Sequence, residues 1–517
     1  MLVHLGRVRA LRAELIRPPS VVARFGLTLN ATPPLGVCFL AAALREAGHD
    51  VGVVDAVGLA PDTLRPGFAP SLFEQGLSLP EVVARLDPTA ELIGVSCAFS
   101  HEWPVARRLI ALLRERFPNA TIVCGGEHPT AAPEHCLETA PELDACALGE
   151  GEETIVELAR AVATGQPLGS VAGLMLRIEG TPQRTLSRAR IKDLHQIALP
   201  AWDAIPIDTY LDRGFSFGVQ RGRTMAIFAT RGCPYQCTFC SSPQMWTTRY
   251  ATRDPAHVVD EINLYVEKYR AENIDFYDLT AILRKDWIIE FCRMLVERKL
   301  PVTWQLPSGT RSEAIDAEVV GWLYKAGCRN ISYAPESGSE RVLRSIKKKI
   351  RPSRMLESMT HAVRGGLNVK ANILIGFPDE RRSDLLDTLR FIGQMASVGV
   401  HDVSVWTFSP YPGSEIYAEL VRRGRIRDLD DEYFASLLSY SDLVSAVSYA
   451  DELSARELEL CRLAGLGYFY GRSYATRPAR PLRLARNLAT GRLESRLEMS
   501  LANLGRRLLQ SGAAERA

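Results

Sequence analysis

Hydrophobic and polar positions alternate between strand-like and helix-like patterns from residue 9 to residue 151. Apolar runs at 10–16, 51–55, 92–98, 121–124 and 145–148 predict strands, and periodic patterns at 34–47 and 105–117 predict helices. Alternating strands and helices indicate a parallel, doubly wound α/β sheet. Ligands of such sheets bind at the carboxyl ends of the strands. Those ends include the segments 18–19, 96–100, 125–128 and 149–152.

A second strand and helix series begins near residue 201, after a predicted β-hairpin at 173–186 and a polar stretch typical of a linker. Apolar runs at 225–230, 274–278, 302–306, 330–334, 369–375 and 403–408 each predict a strand. Six βα units of this size are typical of a partial (β/α)6 barrel, whose chemistry lies at the strand C-termini. We therefore predict a Rossmann-like domain at 1–165, a linker with a hairpin at 166–200, a barrel at 201–421 and a mostly helical region at 422–517.

Composition limits the class of protein. Of the 517 residues, 46% are hydrophobic and 24% charged, which indicates ordinary globular domains. The net charge of +2 provides no overall field for a nucleic acid, so none is expected as a partner. The longest apolar run, 36–44, is far shorter than the about 20 residues of a membrane span. The N-terminus lacks an apolar segment typical of a secretory signal, so a cytoplasmic location is predicted.

One tight cysteine cluster stands out among the 11 cysteines. The strand at 225–230 leads into Cys233, Cys237 and Cys240, a C-x3-C-x2-C loop. Three thiolates on one short loop can bind three irons of a [4Fe–4S] cluster and leave the fourth iron open. The alternative is a structural zinc site, which normally has four ligands. No fourth Cys or His lies within several residues, and we predict that the other eight cysteines are small buried hydrophobes.

The cysteine loop resembles the signature of the radical S-adenosylmethionine (SAM) superfamily, and segments at later strand ends extend the resemblance. These are Asp278, the 336–339 segment Glu-Ser-Gly-Ser, the 375–378 segment Ile-Gly-Phe-Pro and the 411–414 segment Tyr-Pro-Gly-Ser. The last resembles a segment of the cobalamin-binding group that includes anaerobic magnesium-protoporphyrin ester cyclase. The segments 33–36, 125–128 and 149–152 are similar to landmarks of that group's N-terminal B12-binding domain. The chain departs from relatives at two places: Gly-Phe-Pro-Asp379-Glu380 stands where they often have G-x-P-G-E-T, and Leu279-Thr280 replaces a common Asp-x-Phe after Asp278.

The resemblance implies roles for individual residues. The open iron would chelate the amine and carboxylate of SAM, and one electron would cleave SAM to a 5′-deoxyadenosyl radical. Phe239 would pack near the adenine, Asp278 and Glu336 would accept hydrogen bonds from the amine and ribose, and Ser337 and Gly376 would allow close approach. A helix N-cap with a glycine-assisted turn is the alternative interpretation of the 336–338 segment.

The resemblance also implies base-off cobalamin without a protein His on the lower face of the corrin. The segment Asp193-Leu194-His195 is close to the D-x-H-x-x-G pattern of cobalt-ligating domains, but it lies in the linker and Ala198 replaces the final Gly. We interpret His195 as a solvated linker residue. The expected cobalamin contacts are Ser96, Ser100, Gly125, Gly126, His128, Thr130, Gly149, Glu150, Gly151 and Glu152. The alternative is a domain of this fold that holds no cofactor.

For the reaction, the resemblance favours C-methylation of an unactivated carbon, with methylcobalamin as methyl donor and a flavodoxin or ferredoxin as electron donor. Cyclisation or rearrangement with the same cofactors is the alternative. A non-enzymatic carrier and an RNA-modifying enzyme are less favoured hypotheses. The catalytic acid or base is not predicted.

The C-terminal tail has leucines at three- and four-residue steps with arginines around them, namely Leu493, Leu497, Leu501, Leu504 and Leu508. This pattern predicts an amphipathic helix. Packing of that helix on the barrel is one interpretation, contact with an anionic membrane surface is a second, and RNA binding is a third. Aromatic residues near the barrel's open face favour a sizeable apolar small-molecule substrate; they are Trp246, Trp304, Trp406, Phe408, Tyr411, Tyr433 and Phe434.

Overall fold

The N-terminal elements build a seven-stranded sheet with helices on both faces. The computed structural model describes residues 9–24, 26, 31–311, 313–442 and 445–503. The first elements in chain order are β1 (Arg12–Arg17), β2 (Ser20–Ala23), α1 (Leu35–Glu46), β3 (Asp50–Asp55), α2 (Ala56–Leu59), β4 (Leu64–Pro66), β5 (Leu72–Gln75), α3 (Leu79–Val83), β6 (Leu92–Ser96), α4 (Trp103–Arg116), β7 (Thr121–Gly125), α5 (Glu127–Ala131), α6 (Pro133–Thr139), β8 (Ala145–Ala147), α7 (Glu152–Thr164), β9 (Leu174–Ile178) and β10 (Thr181–Arg184).

The sheet order is β10-β9-β8-β7-β6-β1-β3, in which the strands from β8 to β3 are parallel. Neighbouring residues of a strand point to opposite faces, so Leu15 packs with α1 and α7 while Ile16 packs with α4. Both faces are therefore covered, as the doubly wound prediction requires. The hairpin that the sequence placed in the linker extends this sheet through the antiparallel strands β9 and β10. A separate small antiparallel sheet, β2-β5-β4, was not predicted.

The second half forms the partial barrel. Its elements are α8 (Ile207–Asp212), β11 (Thr224–Ile227), β12 (Thr230–Arg231), α9 (Ser242–Trp246), β13 (Ala251–Thr252), α10 (Pro255–Tyr269), β14 (Asn273–Phe276), α11 (Lys285–Arg298), β15 (Thr303–Thr310), α12 (Ala317–Lys325), β16 (Cys328–Glu336), α13 (Glu340–Ser345), α14 (Pro352–Arg364), β17 (Asn368–Ile375), α15 (Arg382–Val398), β18 (Asp402–Thr407) and α16 (Glu415–Arg422). Six parallel strands lie in the order β11-β14-β15-β16-β17-β18, as predicted. Rings of Phe276, Phe291 and Trp304 pack between the strands and α11, with centroids 5.4–5.6 Å apart.

The C-terminal region is helical where the structure describes it, with α17 (Asp431–Ser436), α18 (Ala455–Thr476) and α19 (Ala479–Thr490). Helix α18 packs on α15 and β18. The segment 494–500, which we call the plug, closes the amino-terminal end of the barrel. Its Arg496 donates from the backbone N–H to Asp402 at 2.7 Å and from the side chain to the Gly218 carbonyl at 3.0 Å. None of the helices within the described ranges combines the length and apolarity of a membrane span.

The carboxyl edges of the two sheets face each other. His101, just after β6, has its Nδ1 3.3 Å from the Tyr411 hydroxyl, which follows β18. Gln244 of α9 donates to the Thr130 carbonyl of α5 at 3.2 Å. In both folds, ligands bind at the carboxyl ends of the parallel strands. A ligand of the N-terminal sheet and a ligand of the barrel would therefore lie in the same space between the two domains.

Candidate active site

The cysteine loop leaves the barrel at the carboxyl end of β11 and β12. Gly232 has a φ of +84°, and a side chain there would meet the Arg249 carbonyl oxygen at 2.1 Å, so glycine is required. Cys233, Cys237 and Cys240 are partly exposed, whereas seven of the other eight cysteines are buried and Cys461 is partly buried. Three accessible thiols on one loop fit the donor set of an iron–sulfur cluster.

Burial raises the pKa of Cys240 to about 12, and it also raises the pKa of Cys237, where nearby Lys348 acts in the opposite direction. Iron binding must therefore displace the thiol protons, as metal sites generally do. Among the described residues, no three His, Cys, Asp or Glu side chains converge as ligands of one metal ion. In a [4Fe–4S] cluster each thiolate binds a different iron, so such convergence is not needed.

Two cations beside the loop were missed by the sequence analysis. Lys348 Nζ lies 2.7 Å from Glu336 and 5.8 Å from the Phe239 ring centroid. The Arg311 guanidinium lies 3.5 Å from the Tyr235 ring centroid. The Glu336 carboxylate raises the pKa of Lys348 although burial alone would lower it. No motif spacing marks Arg311 or Lys348, since only the fold brings them to the loop.

Asp278 lies directly beneath the strand that enters the loop. Its carboxylate accepts hydrogen bonds from the Ala229 N–H, at 3.1 and 3.2 Å, and from the Thr230 hydroxyl. Burial raises its pKa to about 6, and these hydrogen bonds oppose that rise. The structure thus gives this residue a role in holding the loop, and the predicted contact with SAM stays a prediction.

Glu336 and Ser337 end β16 in an irregular turn. The register between β16 and β17 shifts between Tyr333 and Glu336, and Glu336 has a φ of +62°, which is unusual for a residue other than glycine. Ser337 is fully buried, with its hydroxyl 3.0 Å from Thr388 Oγ1. Ser339, rather than residues 336–338, caps α13 by accepting from Val342. The turn therefore aims Glu336 at Lys348 and uses Ser337 to fix the backbone.

Gly376 begins the loop after β17 and has a φ of +90°. Its N–H and that of Phe377 donate to the Glu380 carboxylate. Burial raises the pKa of Glu380 to about 7. Glu380 therefore closes this loop internally. Phe377 lies against Phe239 with ring centroids 5.7 Å apart, which links the loop to the cysteine segment.

The predicted cobalamin contacts divide into exposed edge positions and internal ones. Ser96, Gly125, Gly126, Gly149 and Gly151 are partly exposed at the carboxyl edge of the N-terminal sheet. Gly126 has a φ of +122°, and a side chain there would meet the Cys97 carbonyl oxygen at 2.4 Å. Glycine is thus needed for the turn after β7.

Other predicted contacts are buried and hydrogen bonded within the protein. His128 is fully buried between Trp103, His135 and Phe434, with Nδ1 3.0 Å from the Ser100 hydroxyl. Burial lowers its pKa to about 3, so the imidazole is neutral. The Thr130 hydroxyl donates to the Gly126 carbonyl at 2.7 Å and accepts from the Gly149 N–H at 3.0 Å. Thr130 thus ties together the loops after β7 and β8.

The carboxylates of Glu150 and Glu152 turn toward the barrel. Glu150 lies 3.1 Å from Arg231 and 3.0 Å from Arg190, and Glu152 pairs with Arg231. Burial tends to raise the pKa of Glu150, but the two arginines outweigh burial and hold it below its usual value. Arg231 and Arg190 were not predicted as functional residues.

Phe99, also not predicted, lies at the carboxyl edge of the N-terminal sheet with 54% of its surface exposed, and its ring stacks on His101. His195 lies apart from this edge, in the linker, with its Nδ1 2.5 Å from that of His257 on α10. Its linker position agrees with the interpretation that it does not ligate cobalt.

Two family models match the chain. One is described as the B12 binding domain and matches residues 26–159; the other is described as the Radical SAM superfamily and matches residues 227–392. The chain therefore contains a B12-binding domain followed by a radical SAM domain. It is an enzyme of the radical SAM class, and its domains fit the predicted set of a [4Fe–4S] cluster, SAM and cobalamin.

Curated relatives cover most of the chain. An uncharacterized methyltransferase of Pyrococcus horikoshii is 28% identical over 79% of this chain and 83% of its own length. Cytidylyl-2-hydroxyethylphosphonate methyltransferase of Streptomyces wedmorensis is 26% identical over 79% and 82%. Anaerobic magnesium-protoporphyrin IX monomethyl ester cyclase of Rubrivivax gelatinosus is 26% identical over 81% and 72%. The chain is thus similar both to methyltransferases and to a cyclase.

A solved structure shares the fold. The radical SAM methyltransferase TsrM from Kitasatospora setae, with cobalamin and a [4Fe–4S] cluster bound, aligns with a TM-score of 0.62 and 18% identity. The alignment covers 80% of this chain and 78% of that chain. The predicted order of the B12-binding and barrel domains is confirmed.

Proposed function

We propose that the protein is a cobalamin-dependent radical SAM C-methyltransferase that acts on an unactivated carbon of a small molecule. One observation carries the proposal: the carboxyl edge of the N-terminal sheet faces the carboxyl edge of the barrel, with His101 Nδ1 3.3 Å from the Tyr411 hydroxyl. Cofactors held on these two edges could act on one carbon between them. Two of the three relatives described above are named as methyltransferases.

When bound, the cluster with SAM supplies a 5′-deoxyadenosyl radical, and cobalamin supplies the methyl group. The chain's own residues hold and orient these groups. Cys233, Cys237 and Cys240 would bind three irons, while Asp278 fixes the strand that enters their loop. Lys348 and Arg311 place positive charge beside the thiolates, which stabilises their deprotonated form.

The cofactor contacts are proposed in two groups. Side chains or backbone at accessible positions are proposed to touch the cofactors directly; these are Phe239, Ser96, Gly125, Gly126, Gly149 and Gly151. Residues whose polar atoms already bond within the protein are proposed to shape the site instead; these are Asp278, Glu336, Ser337, Gly376, Ser100, His128 and Thr130.

The test needs no substrate. Reduced, anaerobic protein loaded with cluster and cobalamin is incubated with SAM that carries a deuterated methyl group. A methyltransferase of this kind is expected to yield deuteromethylcobalamin and S-adenosylhomocysteine in equal amounts. 5′-Deoxyadenosine without either product would contradict methylation. The protein with all three loop cysteines changed to Ala is the control, and no 5′-deoxyadenosine is expected from it.

Cyclisation or rearrangement with the same cofactors is the second candidate, because the chain is also similar to a cyclase. It would need the radical but no methyl group. Adding candidate substrates to the same assay separates the two: a labelled methyl group on the product supports methylation, and an unlabelled, oxidised or rearranged product supports the alternative. Replacing the chemical reductant with reduced flavodoxin or ferredoxin tests the proposed electron donor.

An apolar substrate is proposed from a smaller set of aromatic residues than the sequence indicated. Trp304, Phe408, Tyr433 and Phe434 are buried core residues. Trp246, Trp406 and Tyr411 are partly exposed, and Tyr440 packs against Trp406 with ring centroids 5.6 Å apart. These rings lie on the carboxyl side of the barrel and favour a planar or largely apolar small molecule.

Contact of the tail with an anionic membrane surface is also proposed, for a protein otherwise predicted to be cytoplasmic. Leu497 and Leu501 lie within or beside the plug, whereas Leu504 and Leu508 lie outside the described residues. Deleting 504–517 spares the plug and so tests this proposal cleanly. Full-length protein is expected to float with anionic vesicles at low salt and the truncated protein is not. Equal flotation of both proteins would contradict the proposal.

A further inference from the structure

We propose that Arg231 and Glu150 form an interdomain clamp that sets the position of the B12-binding domain relative to the cysteine loop. Arg231 ends β12, two residues before Cys233, and Glu150 lies in the loop between β8 and α7. The inference rests on the part of the proposed function that places a cluster and cobalamin between the two domains, and not on the type of reaction. In this proposal Glu150 and Glu152 are positioning residues, because their carboxylates bind Arg231 of the barrel instead of the corrin.

The Arg231 side chain is enclosed by both domains. Its Nη1 donates to Glu150 at 3.1 Å, and its Nη2 donates to Glu152. The guanidinium also lies 4.6 Å from the ring centroid of Phe228 in the barrel and 5.6 Å from that of Phe39 in α1. Because it is 8% exposed, this cation depends on its two carboxylate partners for compensation.

Glu150 has no acceptor left for a corrin amide. One oxygen accepts from the Ile191 N–H at 2.9 Å and from Arg190 Nε at 3.0 Å. The other accepts from Arg190 at 3.3 Å and from Arg231 at 3.1 Å. If this loop contacts cobalamin, the contact is therefore made by the backbone of Gly149 and Gly151.

Arg190 extends the clamp to the segment that follows the cysteines. It donates to the carbonyls of Trp246 and Arg249, and its guanidinium lies 5.4 Å from the Trp246 ring centroid. Two arginines and two glutamates thus form one compact group of balanced charge. It joins the corrin-binding loop to the segments on both sides of the cysteine loop.

The loop's entry strand is also held from within the barrel. Asp278 accepts from the Ala229 N–H, two residues before Arg231. Asp278 belongs to the barrel, so it cannot fix the position of the B12-binding domain. The clamp adds this restraint on the relative position of the two domains. A loss of Arg231 should therefore affect the relation between the domains more than the binding of iron.

The test compares Arg231→Gln, Glu150→Gln and the double variant in protein that holds both cluster and cobalamin. Arg108→Gln is the matched control, because Arg108 of α4 pairs with Glu74 of β5, lies outside 185–200 and makes no ion pair to the barrel among the described residues. Proteinase K cleavage within 185–200 measures domain separation. Electron paramagnetic resonance measures how strongly the reduced cluster accelerates the spin relaxation of cob(II)alamin.

We expect both single variants to retain iron and cobalamin, to be cleaved about tenfold faster, and to show weaker relaxation of cob(II)alamin. The effects of the two changes should be less than additive in the double variant, because each single change already removes the Arg231–Glu150 pair. Wild-type cleavage and relaxation in both single variants would overturn the proposal. Loss of cobalamin from Glu150→Gln but not from Arg231→Gln would also overturn it, by making the carboxylate a corrin contact.

If Arg231→Gln does not fold, Arg231→Lys replaces it, since lysine keeps the charge but cannot bridge two carboxylates with a planar fork. An intermediate cleavage rate supports the clamp, and a wild-type rate contradicts it. These readouts require no methyl transfer. A failed methylation assay with an intact clamp would thus concern the reaction alone.

Discussion

Positive charge beside the cysteine loop compensates groups that would otherwise be costly to bury. Lys348 lies between Glu336 and the Phe239 ring, and Arg311 covers Tyr235. Both cations lie near Cys237, whose pKa they lower against the effect of burial. Their position therefore favours the thiolate that iron requires. Three predictions follow at the scale of single residues, beginning with the cysteines.

Replacing any one of Cys233, Cys237 and Cys240 by Ala should remove an iron ligand and abolish the cluster. Iron content and visible absorbance after anaerobic reconstitution measure this loss. Cys461→Ala is the control, because Cys461 is also partly exposed but lies on α18. A triple variant that still holds about four irons would place the cluster elsewhere.

Lys348→Met should leave the buried Glu336 carboxylate without its partner and destabilise the fold by about 3–5 kcal/mol. Adding Glu336→Gln should recover most of that loss, since the remaining group is neutral. The adjacent Lys347 pairs with Glu415 at an exposed site, so Lys347→Met should cost less than about 1 kcal/mol. Denaturant unfolding measures all three variants. Equal effects of the two lysine variants would contradict a buried ion pair.

Glu380 should make stability depend on pH. Burial raises its folded-state pKa from the ordinary 4.5 to about 7, so the folded protein binds a proton more tightly than the unfolded chain. Stability from this residue is present below about pH 4.5 and is lost as pH rises through about 7. Glu380→Gln should remove up to about 3 kcal/mol of this dependence. Melting temperatures of the wild type and of Glu380→Gln at pH 5 and pH 8 measure this dependence. If the melting temperatures of both proteins change equally between the two pH values, the prediction is contradicted.

At the scale of elements, sequence patterns predicted the strands that are apolar and alternate with helices along the chain. All six barrel strands and the five parallel strands of the N-terminal sheet were located within a few residues. Strands β2, β4 and β5 interrupt that alternation and pair only with each other in a separate antiparallel sheet, so the alternating pattern does not indicate them. The hairpin was recognised, but its pairing with β8 is a long-range choice that local sequence does not encode.

Only those parts of the candidate site that carry a sequence motif could be predicted. The spacing of the cysteines indicated the loop proposed to bind the cluster. The direction of the His128 side chain depends instead on packing against Trp103 and Phe434, and Phe434 lies about three hundred residues further along the chain. Glu150 was predicted as a cobalamin contact, and its arginine partners come from the linker and the barrel. Only the assembled fold relates these segments.

The contacts of the plug predict that deleting the whole C-terminal tail destabilises the barrel. Asn330 donates to the Glu494 carbonyl at 3.0 Å, and Arg496 binds Asp402 and Gly218. Deleting 491–517 should open the amino-terminal end of the barrel and lower the melting temperature by several degrees. Deleting 504–517 is the matched control and should leave the melting temperature unchanged. Equal melting of both truncated proteins would show that the plug does not stabilise the barrel.

At the scale of the whole molecule, the facing carboxyl edges predict that bound cobalamin contacts both domains. Phe99 is exposed on one edge and Tyr411 lies on the other, joined through His101. Cobalamin binding should therefore slow amide hydrogen exchange at 97–102 and at 409–414 together, because one ligand excludes water from both segments. Helix α12 on the outer face of the barrel is the internal control and should not change. Protection confined to 97–102 would mean that the corrin contacts only its own domain, and the shared reaction space would have to be abandoned.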